Sequence, residues 1–276
     1  MNPFEVFLTT PILNLLVALY KALNAIYLPG ALGFAIILLT VIIRMILWPL
    51  TTSQLKSSQK MAALKPHLDR IKAEHGHDKT RHQQEVNKLY KEHGVNPLAG
   101  CLPLLLQIPV FIALYNVLLK IVQVNGDFLA NINQRLYSPF LYLESVPDVS
   151  FFGFNLSSKP NEWQQVGILL LAIPIVTGLL QFIQSKMLSP AKAPVQPEKK
   201  EGKGDLEDSM AAMQSQMTLI MPAMIAFFSY GFPVGLSLYW NTFTVIGIIQ
   251  QYKISGPGGL AKYIPEKWRS KLNIKY

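Results

Sequence analysis

Long apolar runs alternate with polar, charged segments along this chain. A helix that crosses a bilayer needs about 20 predominantly apolar residues at a rise of about 1.5 Å each. Five stretches meet that requirement, at 31–50, 98–120, 165–186, 214–231 and 234–252. The pattern predicts an all-α membrane protein with five transmembrane helices.

The N-terminal segment 1–30 has a different pattern. Over residues 4–23, apolar side chains recur at steps of three and four, with polar residues such as Glu5 and Lys21 between them. This periodicity is typical of an amphipathic helix at the membrane surface. A sixth transmembrane helix is the alternative, although Pro11 and the scattered polar residues count against it.

Two of the polar segments have distinct compositions. Segment 51–97 is too polar to enter lipid, but its apolar periodicity predicts two helices joined by a turn at 75–79, which together form a cytoplasmic helical hairpin. Thr80 followed by Gln83 predicts a capping box at the start of the second helix. Within the loop 187–209, residues 190–208 are rich in Pro, Lys, Glu and Gly, and we expect them to be flexible.

The distribution of Lys and Arg predicts the orientation in the membrane. Segment 51–97 carries nine of them and the tail 253–276 carries six, whereas loop 123–161 carries two and the N-terminal stretch one. Cytoplasmic loops carry the excess of positive charge. We therefore expect segment 51–97, loop 187–209 and the basic tail in the cytoplasm, with loop 123–161 and the N-terminus outside.

Composition supports the membrane class. Half of the residues are hydrophobic and 15% are charged, with a formal net charge of +9. A nucleic-acid-binding protein would gather its basic residues on one soluble surface, but here they lie between apolar runs. No DNA partner is therefore predicted. The single cysteine, Cys101, excludes an internal disulfide framework.

Arg44 is the most informative single residue, because it lies inside the first predicted span, where no acidic residue could neutralise it. A charge at that depth costs about 2.5–3.5 kcal/mol on insertion scales, so such a residue usually faces water or a partner. The alternative is snorkelling, since Leu50 lies six residues further on, or about 9 Å along the helix. From the residues alone, both interpretations remain open.

Other polar residues inside the predicted spans favour a shared wet cavity. Thr40 lies one turn before Arg44 on the same helix face, and three further spans contribute Gln107, Gln181, Asn241 and Thr244. The alternative is ordinary hydrogen bonding between helices, worth about 0.6 kcal/mol per contact.

Signals of catalysis are missing from the sequence. All five histidines lie in segment 51–97 without the spacing of a metalloprotease, and no phosphate-binding loop or glycine-flanked nucleophilic serine occurs. We predict no catalytic residue, no metal site and no cofactor. The chain is not expected to be an enzyme.

Two segments resemble a known family. The run 96–115, which reads NPLAGCLPLLLQIPVFIALY, is similar to the signature segment of the YidC/Oxa/Alb membrane protein insertases. The run 231–240, GFPVGLSLYW, resembles the final helical hairpin of that family. Thr40 and Arg44 match its groove residues in order and spacing. The likeness extends over about residues 4–255 and corresponds to a compact bacterial form.

The resemblance implies an inner-membrane insertase and assembly chaperone that works without nucleotide hydrolysis. A hydrophilic groove, open to the cytoplasm and to lipid, would pass hydrophobic segments of nascent membrane proteins into the bilayer. Arg44 would attract the polar tail of the incoming segment. The other residues that the resemblance assigns to the groove are Thr40, Gln107, Gln181, Trp240, Asn241 and Thr244. The implied partners are nascent chains, the Sec translocon, the ribosome and membrane lipids.

A small-solute transporter or channel is the alternative function, because a charged cavity and proline-kinked helices suit it equally. Such proteins are often built from internal repeats, and the two halves of this sequence show no such similarity.

Overall fold

The computed structural model describes residues 2–95, 102–122, 128–188 and 206–263. Most of these residues are helical, with one short β-hairpin and irregular connections, which confirms the predicted all-α class. The α-helices are α1 (Thr10–Ala25), α2 (Ala31–His75), α3 (Lys79–Glu92), α4 (Leu102–Val122), α5 (Phe128–Asn133), α6 (Trp163–Val166), α7 (Ala172–Leu188), α8 (Leu206–Gly231) and α9 (Val234–Ser255). Strands β1 (Ser150–Phe151) and β2 (Phe154–Asn155) pair antiparallel.

Three helical segments of the described chain are long and apolar enough to cross a membrane, namely Glu5–Ala25, Ala31–Met61 and Ile168–Leu188. Helices α4 and α8 contain shorter apolar stretches, Gln107–Ile121 and Leu219–Gly231. Helix α9 has 22 residues, but its polar side chains lower its hydropathy. Five transmembrane helices therefore remain a prediction.

The first predicted span and the first arm of the predicted hairpin belong to one helix. Helix α2 continues for 45 residues, past the predicted boundary at residue 50, and contains Pro49 and Pro66. A proline removes one intrahelical hydrogen bond, which bends a helix without necessarily ending it. The change from apolar to polar composition thus occurs within a single helix.

Helix α3 follows α2 after a short turn. The cap of α3 is Asp78, whose side chain accepts hydrogen bonds from the backbone nitrogens of Thr80 and Arg81. The predicted capping box at Thr80 is therefore wrong by two residues, because an aspartate caps as well as a threonine and lies at the first non-helical position. Buried Leu64 and Leu89 bring α2 and α3 together.

The described chain forms two compact units. The first contains Met1–Leu47, Leu104–Leu180 and Ala223–Ile246, and the second contains Trp48–Pro103, Gln181–Pro222 and Gly247–Tyr276. The first unit has a continuous hydrophobic core drawn from α1, α2, α4, the β-hairpin and α9. Its fully buried members include Leu16, Leu39, Leu114, Leu156 and Leu236.

The N-terminal helical segment Glu5–Ala25 contacts the end of α4 and the residues that follow α4. Three of its polar side chains make these contacts, near its start, middle and end. Glu5 pairs with Lys120 and Arg135 at 3.3 and 2.9 Å, Asn14 bonds to the backbone of Arg135 and Tyr137, and Lys21 donates to the carbonyls of Phe140 and Tyr142. The helix is thereby fixed against segment 128–143.

Candidate functional site

Arg44 lies on α2 in the first unit, and only 5% of its surface is exposed. Its Nε and Nη2 atoms both donate to the backbone carbonyl of Phe243 in α9, at 3.1 and 2.8 Å. The guanidinium carbon also lies 3.5 Å from the centre of the Phe243 ring. A carbonyl dipole and an aromatic face therefore replace water around the charge.

The hydrogen bonds of Arg44 do not match the snorkelling interpretation that the sequence left open. A snorkelling arginine extends its charged end towards lipid headgroups. Here the guanidinium is held within the protein by a residue 199 positions further along the chain. Arg44 is also less open to water than an arginine facing a wet cavity would be.

Thr40 and Thr244 lie in the same unit and are almost fully buried. Thr40 donates its hydroxyl hydrogen to the carbonyl of Ile36 at 2.6 Å, and Thr244 donates to that of Trp240 at 2.9 Å. Each hydroxyl thus bonds four residues back within its own helix, a frequent arrangement for threonine in membrane helices. Each hydroxyl oxygen can still accept a hydrogen bond from a ligand.

Gln107 is linked to Arg44 through two aromatic residues of α9. Its Nε2 atom donates to the hydroxyl oxygen of Tyr239 at 2.6 Å, and the Tyr239 ring lies 6.0 Å from the Phe243 ring. Because Phe243 also holds Arg44, polar groups from α4 and α2 meet at one face of α9. Tyr239 is completely buried at the centre of this connection.

Next to Gln107 is a cavity of about 130 Å³ in the first unit. Aromatic and aliphatic side chains form most of its wall, including Phe111, Phe232 and Trp240. The Trp240 ring meets Phe111 edge-on, with the ring centres 5.4 Å apart. The cavity is therefore more apolar than the wet groove that the sequence predicts.

The polar residues around this cavity satisfy one another. The Ser229 hydroxyl lies 3.0 Å from that of Ser237 and 3.4 Å from that of Thr177. Hydroxyls paired in this way leave mainly apolar surface facing the cavity. Their mutual bonding explains why a site with several polar residues has an apolar wall.

Asn241 and Gln181 complete the set of predicted groove residues. The Asn241 Oδ1 atom is buried and has no hydrogen-bond partner in the described part of the chain. A buried acceptor of this kind ordinarily needs a water molecule or a ligand. Gln181 is also buried, but it belongs to the second unit.

The structure adds residues that the sequence analysis did not select. Phe243 and Tyr239 contact the predicted polar residues directly, and Phe111 and Phe232 form the cavity wall. Tyr239 and Phe232 lie in the run 231–240, which could have drawn attention to them. No sequence signal indicated that the Phe243 carbonyl would bind Arg44.

Part of the signature run lies outside the described residues. Residues 96–101 are not described, and of 102–106 only the helical backbone is. Within the described chain, no group of three or more His, Cys, Asp or Glu side chains could hold a metal ion.

Comparison with known proteins identifies the family. The profile of the family described as "60Kd inner membrane protein" matches residues 23–257. The chain is 32% identical over 255 residues to the Inner membrane ALBINO3-like protein 1, chloroplastic, of Chlamydomonas reinhardtii, covering 89% of this chain and 48% of that protein. It is 35% identical over 241 residues to the Membrane protein insertase YidC of Rickettsia massiliae, covering 86% and 38%.

A solved structure shares the fold. A crystal structure described as an active YidC insertase with the first transmembrane domain resolved matches with a TM-score of 0.53 and 26% identity. The match covers 91% of this chain and 47% of that one. The chain spans about half or less of the length of the relatives it matches.

The predicted resemblance is confirmed by a profile match that covers most of the chain and by relatives above 30% identity. These similarities show that the chain belongs to the 60Kd inner membrane protein family, which includes the YidC, Oxa and Alb proteins.

Proposed function

We propose that this chain is a membrane protein insertase and assembly chaperone that moves hydrophobic segments of nascent membrane proteins into the bilayer without nucleotide hydrolysis. The observation that carries this proposal is Arg44, whose permanent charge is buried in an apolar unit against a neutral carbonyl. Family membership supports the same function, since curated relatives are described as membrane protein insertases.

The geometry around Arg44 suits a displaceable partner. Both of its hydrogen bonds end on one carbonyl oxygen, whereas a carboxylate would offer two oxygens and a full negative charge. An acidic or polar tail that enters the site would therefore compete well with the Phe243 carbonyl for the guanidinium of Arg44. Binding there would compensate part of the cost of removing the tail from water.

The surrounding residues suit the rest of such a substrate. The apolar cavity beside Gln107 and Trp240 offers aromatic contact surface, and the unpaired Oδ1 of Asn241 can accept from a backbone N–H group. Thr40 and Thr244 would contribute further polar contacts here, and Gln181 is a further proposed polar contact for the substrate. A hydrophobic segment would leave sideways into lipid while its tail remains near Arg44.

The proposed setting is the inner membrane, with the N-terminus outside and the C-terminus in the cytoplasm. Helices α2 and α3 would receive the nascent chain through their polar, cytoplasmic portion. Sec translocon, ribosome and membrane lipids are the proposed partners besides the substrates. The basic tail 253–276 would contact rRNA or anionic lipid.

Reconstitution of the purified full chain tests the proposal. A single-span protein is translated in the presence of proteoliposomes, and protease protection of its short translocated tail is measured for an acidic and a neutral tail. We expect Arg44→Ala to slow insertion of the acidic-tail substrate by about tenfold, which corresponds to about 1.4 kcal/mol, close to the lower end for one hydrogen bond to a charged group. The neutral-tail substrate should be less affected.

Arg44→Lys is the matched control, because it keeps the charge but loses the planar fork, and it should retain part of the activity. Equal insertion into empty liposomes and into proteoliposomes would contradict the insertase function. Unchanged insertion by Arg44→Ala would contradict the role of the arginine alone. Flux of a small solute through the same proteoliposomes would favour the transporter alternative.

A further inference from the structure

Two aromatic residues of the first unit combine high exposure with an unfavourable backbone conformation. Tyr27 is 92% exposed at a φ of 56°, and Phe152 is 79% exposed at a φ of 47°. Left-handed conformations suit glycine and asparagine and are uncommon for bulky residues. A structure that retains a large aromatic ring at such a position, facing outwards, indicates a use for the ring outside the protein core.

The neighbour of Phe152 shows how the hairpin is held. The Phe151 ring lies in a notch at the start of α2, formed by Gly30 and Gly33. A Cβ atom at Gly33 would overlap that ring, and one at Gly30 would lie 2.9 Å from it. Phe34 also meets the rings of Phe151 and Phe152 edge-on, at 5.2 and 6.0 Å between centres. Phe151 thus fixes the hairpin on α2, while Phe152 stays exposed at its tip.

This exposed group lies at the beginning of a membrane-spanning segment. Tyr27 precedes the first residue of α2 by four positions, and the stretch Ala31–Met61 is long and apolar enough to cross a bilayer. The residues just before such a stretch lie at the boundary between headgroups and acyl chains. Tyrosine and other amphipathic aromatics are enriched at that depth.

We propose that the tip of the β-hairpin, with Ile26, Tyr27 and Phe152, is an anchor that inserts into the bilayer interface beside the N-terminal end of α2. Ile26 is 68% exposed and adds aliphatic surface next to Tyr27 in the chain. The partner is the lipid bilayer, because Tyr27 shortly precedes, and Phe152 packs against Phe34 near the start of, a helix that is long and apolar enough to cross it. Because Phe151 is seated on α2, the anchor also fixes the depth of that helix and of Arg44.

Spin labelling of the full chain in lipid vesicles tests this anchor. Cys101→Ser removes the native thiol, and Ser150→Cys places a nitroxide on β1, two residues from Phe152. The measured quantity is the ratio of collision rates with oxygen, which concentrates in lipid, and with a water-soluble nickel chelate. We expect this ratio to be several-fold higher than that of a label at Glu144→Cys, an exposed position of loop 123–161.

Phe152→Asn separates anchoring from folding. Asparagine tolerates the left-handed conformation, so the melting temperature of the variant protein in detergent should be unchanged or slightly higher. In vesicles, the ratio at residue 150 should fall to that of the Glu144 label. Phe152→Trp, which keeps an interfacial aromatic, should retain the high ratio.

Four results would overturn the anchor. The first is a label at residue 150 that is as accessible to the nickel chelate as the Glu144 label. The second is a ratio that Phe152→Asn leaves unchanged. The third is a label shielded equally from both reagents, which would point to a protein partner instead. The fourth is a lowered melting temperature for Phe152→Asn, which would assign the ring to packing on Phe34.

Discussion

At the residue scale, the hydrogen bond between Gln107 and Tyr239 connects two of the helices that form the site. Gln107→Leu should destabilise the protein, because it leaves the hydroxyl of a completely buried tyrosine without this donor. The expected cost is about 1–3 kcal/mol, the penalty of a buried polar group that loses its partner. The measurement is the shift in melting temperature in detergent.

The double variant is the matched control for this contact. Tyr239→Phe removes the hydroxyl as well, so Gln107→Leu combined with Tyr239→Phe should recover much of the lost stability. If the stability loss of the double variant equals the sum of the losses of the two single variants, the hydrogen bond does not couple these residues. The aromatic contact between Tyr239 and Phe243 remains possible in both backgrounds.

Single-residue chemistry was only partly predictable from the sequence. Arg44 stands out because a charge in an apolar run is costly, and this holds whatever the fold. Its partner was not predictable, since the acceptor is the backbone carbonyl of Phe243, a group that every residue carries. Likewise, the sequence shows that Thr40 is polar but not that its hydroxyl bonds to its own helix.

At the element scale, the contact between the β-hairpin and α2 depends on a glycine. Gly33→Ala should lower the melting temperature, because the added methyl group would overlap the Phe151 ring and force the hairpin away. Overpacking of this kind costs about 1–3 kcal/mol. Hydrogen exchange of the hairpin amides should rise in the same variant, since the strands would lose their support.

Gly231→Ala is the control for that substitution. A Cβ atom at Gly231, the last residue of α8, meets nothing within 4 Å. Alanine also has the higher helix propensity, so this variant should be neutral or slightly stabilising. Equal melting temperatures for the two alanine variants would show that Phe151 can move aside without cost.

Helices were more predictable than their ends. Apolar runs of about 20 residues can hardly form anything but helices in a membrane protein, because backbone groups must be satisfied within the segment. The end of a helix depends on local competition, as at α3, where Asp78 provides the cap instead of Thr80. The continuity of α2 through Pro49 depends on context that composition does not reveal.

At the scale of the whole molecule, the location of the N-terminal helix determines how many times the chain crosses the membrane. Segment Glu5–Ala25 is apolar and long enough to cross, yet the sequence periodicity predicts a helix at the surface. The contacts of Glu5 and Lys21, 16 residues or about 24 Å apart, both involve residues in the stretch 120–142.

These contacts favour the surface location. If the helix crossed the bilayer, residues 135–142 would have to cross alongside it, because they accompany it from Glu5 to Lys21. Most of that stretch is irregular, and its Tyr137 and Phe140 are exposed. Exposed irregular backbone does not occur in the hydrocarbon region, since its polar groups would lack partners.

Cysteine accessibility tests this conclusion, using Cys101→Ser chains that each carry one new cysteine at an exposed position: Asn2, His77 or Glu144. In right-side-out vesicles, we expect a membrane-impermeant maleimide to label Asn2→Cys and Glu144→Cys but not His77→Cys. Inverted vesicles should give the opposite pattern. If Asn2→Cys instead behaves like His77→Cys, then Glu5–Ala25 crosses the bilayer, and its polar contacts must be satisfied within the membrane.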